Sequence, residues 1–392
     1  MSSDKYELMG RRRFMNTLAN LGLSAATINT LSQESIAQVT SDPKKEVPYV
    51  KGYEYKHPDG LNSPPEVETI HSTIPRGRWV RIQAAYDAAE RVSKAIEKIG
   101  PSNSINTGVR YDSTSPEQVE PYVVVSYDTL KKSNGKVISE PSITFEEVEN
   151  NTPSYVSGTA GGSENTEVIE KIPVVFEKKE KIQQEYYDTA YRPCPGGCKI
   201  DLGGTLCFSF WDYSVSRRRF LTAGHVLQND DGSVPGQVHQ PEWDKNLGYP
   251  LDSSIRVDGG QMDAGLIEYK YSDVDYTNKL AEDGGGYTDT VNKVHGWDWI
   301  ANDGYQYEIT HQGKSAGRNS GTIKETVAKN GKRNFWTTAD QARGDSGGPH
   351  YRFDSGDGYY WLVGLHCWTN DGTDSGAIAL DKIMNDEYNL AL

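Results

Sequence analysis

The sequence predicts a mainly β protein preceded by a small α/β unit, and three observations carry that expectation. The 392 residues include 39 Gly, 24 Tyr and 8 Trp against a hydrophobic share of only 35%, a balance that suits short strands and tight turns better than a helical bundle. Beyond about residue 185 the apolar residues come in short runs separated by Gly, Asp and Asn clusters, the texture of an antiparallel barrel or sandwich. Ahead of that point one segment keeps a long helical period: Ile82, Ala85, Ala89, Val92, Ile96 and Ile99, spaced by three and four residues.

Residues 1–37 read as a leader. Arg11-Arg12-Arg13-Phe14-Met15 precedes a modest apolar stretch from Leu18 to Leu31, and Ser35-Ile36-Ala37 offers a small-x-small cleavage site. The set resembles a twin-arginine export signal, which predicts a secreted protein, extracellular or at the cell surface, that folds before it crosses the membrane. An ordinary basic amphipathic N-terminus is the plainer alternative. Residues 38–75, rich in Lys, Glu, Pro and Ser and without sustained periodicity, read as linker.

Residues 76–185 are expected to form an α/β accessory or pro-domain. The helix ends at Gly100-Pro101, Tyr122–Tyr127 reads as a strand, and Asn134-Gly135 signals a hairpin before a second strand around Ile143–Phe145. A Gly/Ser/Thr/Asn-rich segment at 157–166 leads to a last strand, Ile172–Phe176. No nucleophile, metal cluster or phosphate loop is recognisable in this unit. In residues 186–392, runs at 205–211, 219–223, 264–269, 306–310, 321–326, 334–338, 348–353 and 359–366 read as strands, with a helical pattern at Asp381–Tyr388.

The formal net charge of −14, from 41 Lys+Arg and 55 Asp+Glu, argues against a nucleic-acid partner, because a phosphate-tracking surface needs excess cationic side chains. No apolar run approaches the roughly 20 residues of a membrane helix. Four cysteines, Cys194, Cys198, Cys207 and Cys367, fit an exported protein with one or two disulfides of unspecified pairing. Their spacing does not match a zinc site, and no metal or cofactor is expected.

Three short motifs supply a nucleophilic site. Gly344-Asp345-Ser346-Gly347-Gly348-Pro349 presents a serine among glycines. A serine hydroxyl needs a base, and the oxyanion of a tetrahedral intermediate needs backbone N–H donors, which Gly344 and Ser346 can supply. Leu221-Thr222-Ala223-Gly224-His225 places an imidazole beside small residues at a strand end, and Met262-Asp263-Ala264-Gly265 places a carboxylate before an apolar strand. The other histidines, apart from His366, read as surface or loop residues.

The order His225, Asp263, Ser346, with gaps of 38 and 83 residues, together with T-A-G-H, D-A-G-L and G-D-S-G-G-P, resembles the chymotrypsin-like serine endopeptidases. Within them it is similar to the secreted bacterial α-lytic and streptogrisin type. The segment Gly313–Thr322 resembles their strand-turn-strand ahead of the nucleophile. The likeness runs from about Pro195 to Ile383. It implies two antiparallel six-stranded barrels with the site in the cleft between them. It also implies the roles: His225 as base and then acid, Asp263 as the residue that orients it, Ser346 as nucleophile.

Departures limit the likeness. Val226 stands where many members have a cysteine, and no I-V-G-G start precedes His225, so Asp345 is expected to have another cationic partner. Asp340 falls at the pocket base of trypsin-like members, and His366 matches the pocket-wall histidine of glutamate-specific relatives. The two favour opposite substrate charges, and they could instead pair with each other; acidic preference through His366 is the reading favoured. The expectation is thus a monomeric, exported serine endopeptidase acting on protein or peptide substrates and made as a precursor. A catalytically silent protease-fold binding module is the alternative, and an esterase is disfavoured by the residue order.

Overall fold

The structure, a computed structural model, describes residues 44–392 except 100–104, 113–119, 129, 132–136, 140–143, 161–165, 180–186, 188, 230, 242–244, 259–261, 270–275, 283–284, 289, 330–331 and 371–373. The leader at 1–37, Gly100-Pro101, Asn134-Gly135, Ile143 and the junction at Glu185 lie outside the described residues.

Residues 46–75, read from sequence as linker, form a hairpin. Strands β1 (Glu46–Lys56) and β2 (Glu66–Pro75) pair antiparallel along their length, burying Val47, Tyr49, Tyr55 and Ile74. A register shift between Val50 and Gly52 breaks the period-two pattern, which is why alternation did not reveal the strand. Helix α1 (Arg76–Ile99) follows at once and buries the predicted face, Ile82, Ala85, Ala89, Val92 and Ile96, with Trp79.

After β3 (Ile105–Asp112) and β4 (Glu120–Asp128), a short antiparallel pair, β5 (Leu130–Lys131) and β6 (Val137–Ser139), flanks the predicted turn. Of the second strand expected around Ile143–Phe145, the described residues instead show Thr144 capping helix α2 (Phe145–Asn151). The Thr144 hydroxyl accepts from the Glu147 N–H, and the Glu147 carboxylate accepts from the Thr144 N–H, a reciprocal cap that sequence periodicity does not register. Strands β7 (Tyr155–Ala160) and β8 (Glu167–Lys179) complete the unit, with β3, β4, β8 and β7 side by side under α1.

The remainder begins with β9 (Cys194–Gly196). It continues with β10 (Phe208–Asp212), β11 (Arg217–Thr222), β12 (Val238–His239), β13 (Asn246–Pro250), β14 (Arg256–Val257), β15 (Asp263–Tyr269) and β16 (Tyr276–Leu280). Then come β17 (Val291–His295), helix α3 (Trp297–Asn302), β18 (Glu308–Gly313), β19 (Gly317–Lys329), β20 (Lys332–Thr337), β21 (Pro349–Asp354), β22 (Tyr359–Asn370), β23 (Asp374–Ala379) and β24 (Leu390–Ala391). The helical pattern at the end forms as a short α-helical stretch, Leu380–Lys382, that runs directly into a π-helical one, Ile383–Tyr388.

Two β systems result, in a mainly β protein of the predicted class. Strands β18, β19, β20, β23, β22 and β21 pair in a ring, each antiparallel to the next, and close a six-stranded barrel. The other sheet runs β12-β13-β15-β11-β10-β24, with β14 on β15. Its core of Phe208, Phe210, Phe220, Leu266 and Ile267 continues into Leu362, Leu365 and Ile378 of the closed barrel.

The N-terminal unit is built into the closed barrel's sheet rather than set beside it. β1 pairs with β17, and β3 pairs with β19 at Arg110 and Glu325. The Arg110 guanidinium donates twice to Glu325 Oε2 at 3.1 Å, where both side chains are buried, and also reaches Glu177. Burial, the largest single influence, would lower the Arg110 pKa; the carboxylates of Glu325 and Glu177 together overcome it, and the net shift is upward. A single hydrophobic core joins α1 to Trp297, Trp299, Phe335 and Val363. Among the described residues no helix is long and apolar enough to cross a membrane.

Candidate active site

Each catalytic side chain predicted from sequence sits where a strand meets a tight loop. β11 ends at Thr222, and Ala223 turns the chain into a single 3-10 turn, Gly224–Leu227. Gly224 lies so close to β14 and β15 that a Cβ there would come within 2.5 Å of the Arg256 carbonyl and 2.8 Å of the Ala264 carbonyl. That approach puts His225 against the first residue of β15. The His225 N–H donates to Asp263 Oδ1 at 2.8 Å, and ring Nδ1 lies 2.5 Å from Oδ2.

A carboxylate facing Nδ1 fixes the tautomer, leaving the lone pair on Nε2. Asp263 is buried while the His225 side chain is 42% exposed, so the imidazole meets solvent and the carboxylate does not. Burial works to lower the His225 pKa, and the hydrogen bond and charge of Asp263 overcome it, so the net shift is upward. From behind, the Cys367 thiol donates to the Asp263 carbonyl at 3.1 Å, and Tyr388 Oη donates to the Ala264 carbonyl at 2.9 Å.

The serine loop is held by its carbonyls and by Asp345. The Thr205 N–H donates to the Ser346 carbonyl at 2.8 Å and Thr205 Oγ1 to the Gly344 carbonyl at 2.9 Å, while Thr222 Oγ1 donates to the Thr205 carbonyl at 2.7 Å. Fully buried Thr205 thus ties the Ser346 loop to β11, the strand that leads into His225. Gly344 has φ +107°, which L side chains rarely adopt. Among the described residues, neither the Gly344 N–H nor the Ser346 N–H donates to a protein acceptor.

Asp345 is fully buried. It accepts from the backbone N–H groups of Ser315 at 2.6 Å, Ala316 at 3.1 Å and Ala342 at 2.8 Å. Amide donors supply much of what sequence reasoning asked of a cation. Two of them come from the turn Lys314-Ser315-Ala316, which joins β18 to β19 as the strand-turn-strand likeness implied.

The structure joins His225 to Asp263 on β15 and brings the Ser346 loop against the end of β11, where a Cβ on Gly347 would meet Thr222 Oγ1. Gly204 packs on both, its missing Cβ pointing at Val226 and at the Ser346 carbonyl. Among the described residues no hydrogen bond links Ser346 Oγ to His225 Nε2. Catalytic hydrogen bonds of this kind are commonly long before substrate binds. Asp340 and His366 do not pair with each other, because Asp340 is exposed and His366 is fully buried. The His366 backbone lies beside the Ser346 loop, accepting from the Gly347 N–H and donating to the Gly348 carbonyl at 2.8 Å each.

His366 belongs to a group that sequence reasoning missed. His311 on β18, His350 on β21 and His366 on β22 are fully buried, with ring nitrogens within 4.8 Å of one another. Ser375 Oγ lies 2.8 Å from both His350 Nε2 and His366 Nδ1, and a single hydroxyl proton means that it donates to one ring and accepts from the other. Burial, then the neighbouring His311, pushes the His350 pKa well down. This set of nitrogen donors is a place where a metal ion could be held. The reading of His295, His311 and His350 as surface or loop residues is therefore corrected: all are fully buried, on β17, β18 and β21.

The cysteines also differ from expectation. All four are buried and free, with Cys194 Sγ 3.7 Å from Cys198 Sγ, so the expected disulfides are not present. Thr205, Ser315 and Cys367 act on the site through backbone groups, which leaves no spacing signal in the sequence.

No protein-family model matches the chain, and no curated protein does. Among solved structures it is similar to protease A of Thermobifida fusca, at 21% identity and a TM-score of 0.36, over 50% of this chain and 97% of that one. It is also similar to a chymotrypsin of Cellulomonas bogoriensis, at 17% identity, TM-score 0.34 and the same coverage. The α-lytic protease homolog N4 matches at 16% identity and a TM-score of 0.36, again over 50% of this chain and 97% of that one.

Proposed function

We propose that this chain is a serine endopeptidase that cleaves peptide bonds through an acyl-enzyme, with Ser346 as nucleophile, His225 as base and acid, and Asp263 as the residue that orients the imidazole. The observation that carries the reading is the two-point clasp of His225 by Asp263, with β11, the strand that leads into His225, tied through Thr205 to the Ser346 loop. In the reaction His225 Nε2 takes the Ser346 proton, Oγ attacks the scissile carbonyl, and the oxyanion takes hydrogen bonds from the N–H groups of Gly344 and Ser346. His225 then returns the proton to the leaving amine, and water repeats the sequence on the acyl-enzyme.

Export and synthesis as a precursor belong to the same proposal, resting on Arg11-Arg12-Arg13-Phe14-Met15 and on the α/β unit ahead of the protease half. For the residue before the cleaved bond we assign an acidic preference to His366, supported by its place beside the Ser346 loop and its hydrogen bond to Ser375. A peptide set varied at that residue tests this; selection of Arg or Lys would overturn it in favour of Asp340. The expected partners are protein or peptide substrates met by a monomer.

Labelling of the full chain with a serine-directed fluorophosphonate tests the central claim. Modification of wild type but not of Ser346→Ala is expected. The alternative, a catalytically silent binding module, would be established by folded wild type that takes up no label.

A further inference from the structure

The oxyanion hole needs the Gly344 N–H to face the substrate, and that direction is a property of the whole peptide plane between Arg343 and Gly344. In a trans peptide the carbonyl and the N–H point opposite ways, so whatever holds the Arg343 carbonyl aims the Gly344 N–H. Ser315 Oγ donates to the Arg343 carbonyl at 2.8 Å. Ser315 is fully buried in the turn between β18 and β19, and its own N–H is spent on Asp345 Oδ1 at 2.6 Å. We infer that Ser315 is a positioning residue for the oxyanion hole, its hydroxyl locking the 343–344 peptide with the Gly344 N–H turned toward the reacting carbonyl. The inference rests on the endopeptidase reading above.

The need for such a lock follows from the local backbone. Gly344 lacks the Cβ that would bias its φ, and glycine rotates between φ regions at little cost, so nothing intrinsic prevents the plane from turning over. A turned plane would present the Arg343 carbonyl oxygen to the developing oxyanion, repelling it instead of donating to it. The neighbouring Gly344–Asp345 peptide has its own anchors, Thr205 Oγ1 on the Gly344 carbonyl and the Ala342 carbonyl on the Asp345 N–H at 3.1 Å. The 343–344 plane has the Ser315 hydroxyl. The same turn therefore serves the site twice, its backbone holding Asp345 and its side chain aiming the donor.

Ser315→Ala removes the hydroxyl and keeps the backbone bond to Asp345, and Ser315→Cys replaces it with a weak donor of similar shape. Full-length wild type and both variants would be compared for kcat and KM on a peptide substrate, for affinity toward a peptide boronic acid whose adduct places an oxygen in the hole, and for fluorophosphonate labelling rate. Loss of one hydrogen bond's worth of bias predicts a fall in kcat of about tenfold with KM unchanged. Boronate affinity should fall by a similar factor, while affinity for the cleaved peptide product stays the same. Ser315→Thr, which keeps a hydroxyl, should retain most of the activity, and it covers the case in which the smaller side chain fails to fold.

Folded Ser315→Ala or Ser315→Cys with wild-type kcat and boronate affinity would overturn the inference alone. Equal losses for boronate and product would overturn it too, because a general loosening of the turn weakens both. A folded wild type that is not labelled at Ser346 would overturn the endopeptidase reading and this inference together.

Discussion

Replacing Thr205 by Val tests whether the two halves of the candidate site are tied together as described. Val keeps the shape of the side chain and removes one hydroxyl, which donates to the Gly344 carbonyl at 2.9 Å and accepts from the Lys314 N–H at 3.0 Å. Both backbone groups are buried, and each deprived of its partner costs about 1–3 kcal/mol. The added methyl returns about 0.8 kcal/mol of burial, leaving a net loss of about 1–5 kcal/mol. The backbone bonds of Thr205 to Ser346 and Thr222 survive, so the fold should persist with a looser nucleophile loop. Urea unfolding of the full chain reads the stability change, and peptide hydrolysis should show kcat falling more than KM changes. A stability loss below about 0.5 kcal/mol with unchanged kcat would refute the reasoning, since surface-like insensitivity is incompatible with a buried two-way hydrogen bond.

Other outcomes follow from the same geometry. Asp263→Asn should leave the fold intact and lower kcat by about 10⁴-fold, because an amide N–H facing Nδ1 selects the tautomer that cannot accept the serine proton; steady-state kinetics beside a circular dichroism spectrum check it. Because the neutral imidazole is the active form and Asp263 raises its pKa, kcat/KM should climb with pH through an ionisation above the ordinary histidine value of about 6.5, as a pH–rate profile would show. The stability supplied by the same pair has the opposite course, complete below that ordinary value and lost as pH rises through the raised one. Asp381, pushed up to about 7 by burial against the Trp297 N–H it accepts from at 2.9 Å, favours its protonated form in the fold, so stability should fall as pH rises from about 4 to 7. Asp381→Asn should accordingly raise the melting midpoint at pH 8 more than at pH 5. Glu325→Ala leaves the buried Arg110 guanidinium with Glu177 as its remaining carboxylate partner and should cost about 1–3 kcal/mol by urea unfolding.

Local patterns in the chain carried much of this protein. The helix of residues 76–99 was legible because one face repeats every three to four residues, and the barrel strands because turn residues punctuate them. His225, Asp263 and Ser346 were legible because their chemistry demands particular side chains beside small neighbours. What stayed hidden depended on partners distant in the chain. The hairpin at 46–75 looked like linker because its register shift scrambles the alternation and because its pairing partner β17 lies some 240 residues later. His311, His350 and His366 looked unrelated because only the barrel's closure brings three strands' side chains together. Thr205 gave no sign, and the turn of Ser315 was legible only as a turn, since each hydroxyl bonds a backbone carbonyl and any residue has a carbonyl. Side-chain identity is written in the sequence; which carbonyl a hydroxyl meets, and therefore which way the Gly344 N–H points, is decided only when the turn, the loop and the strand are packed against one another.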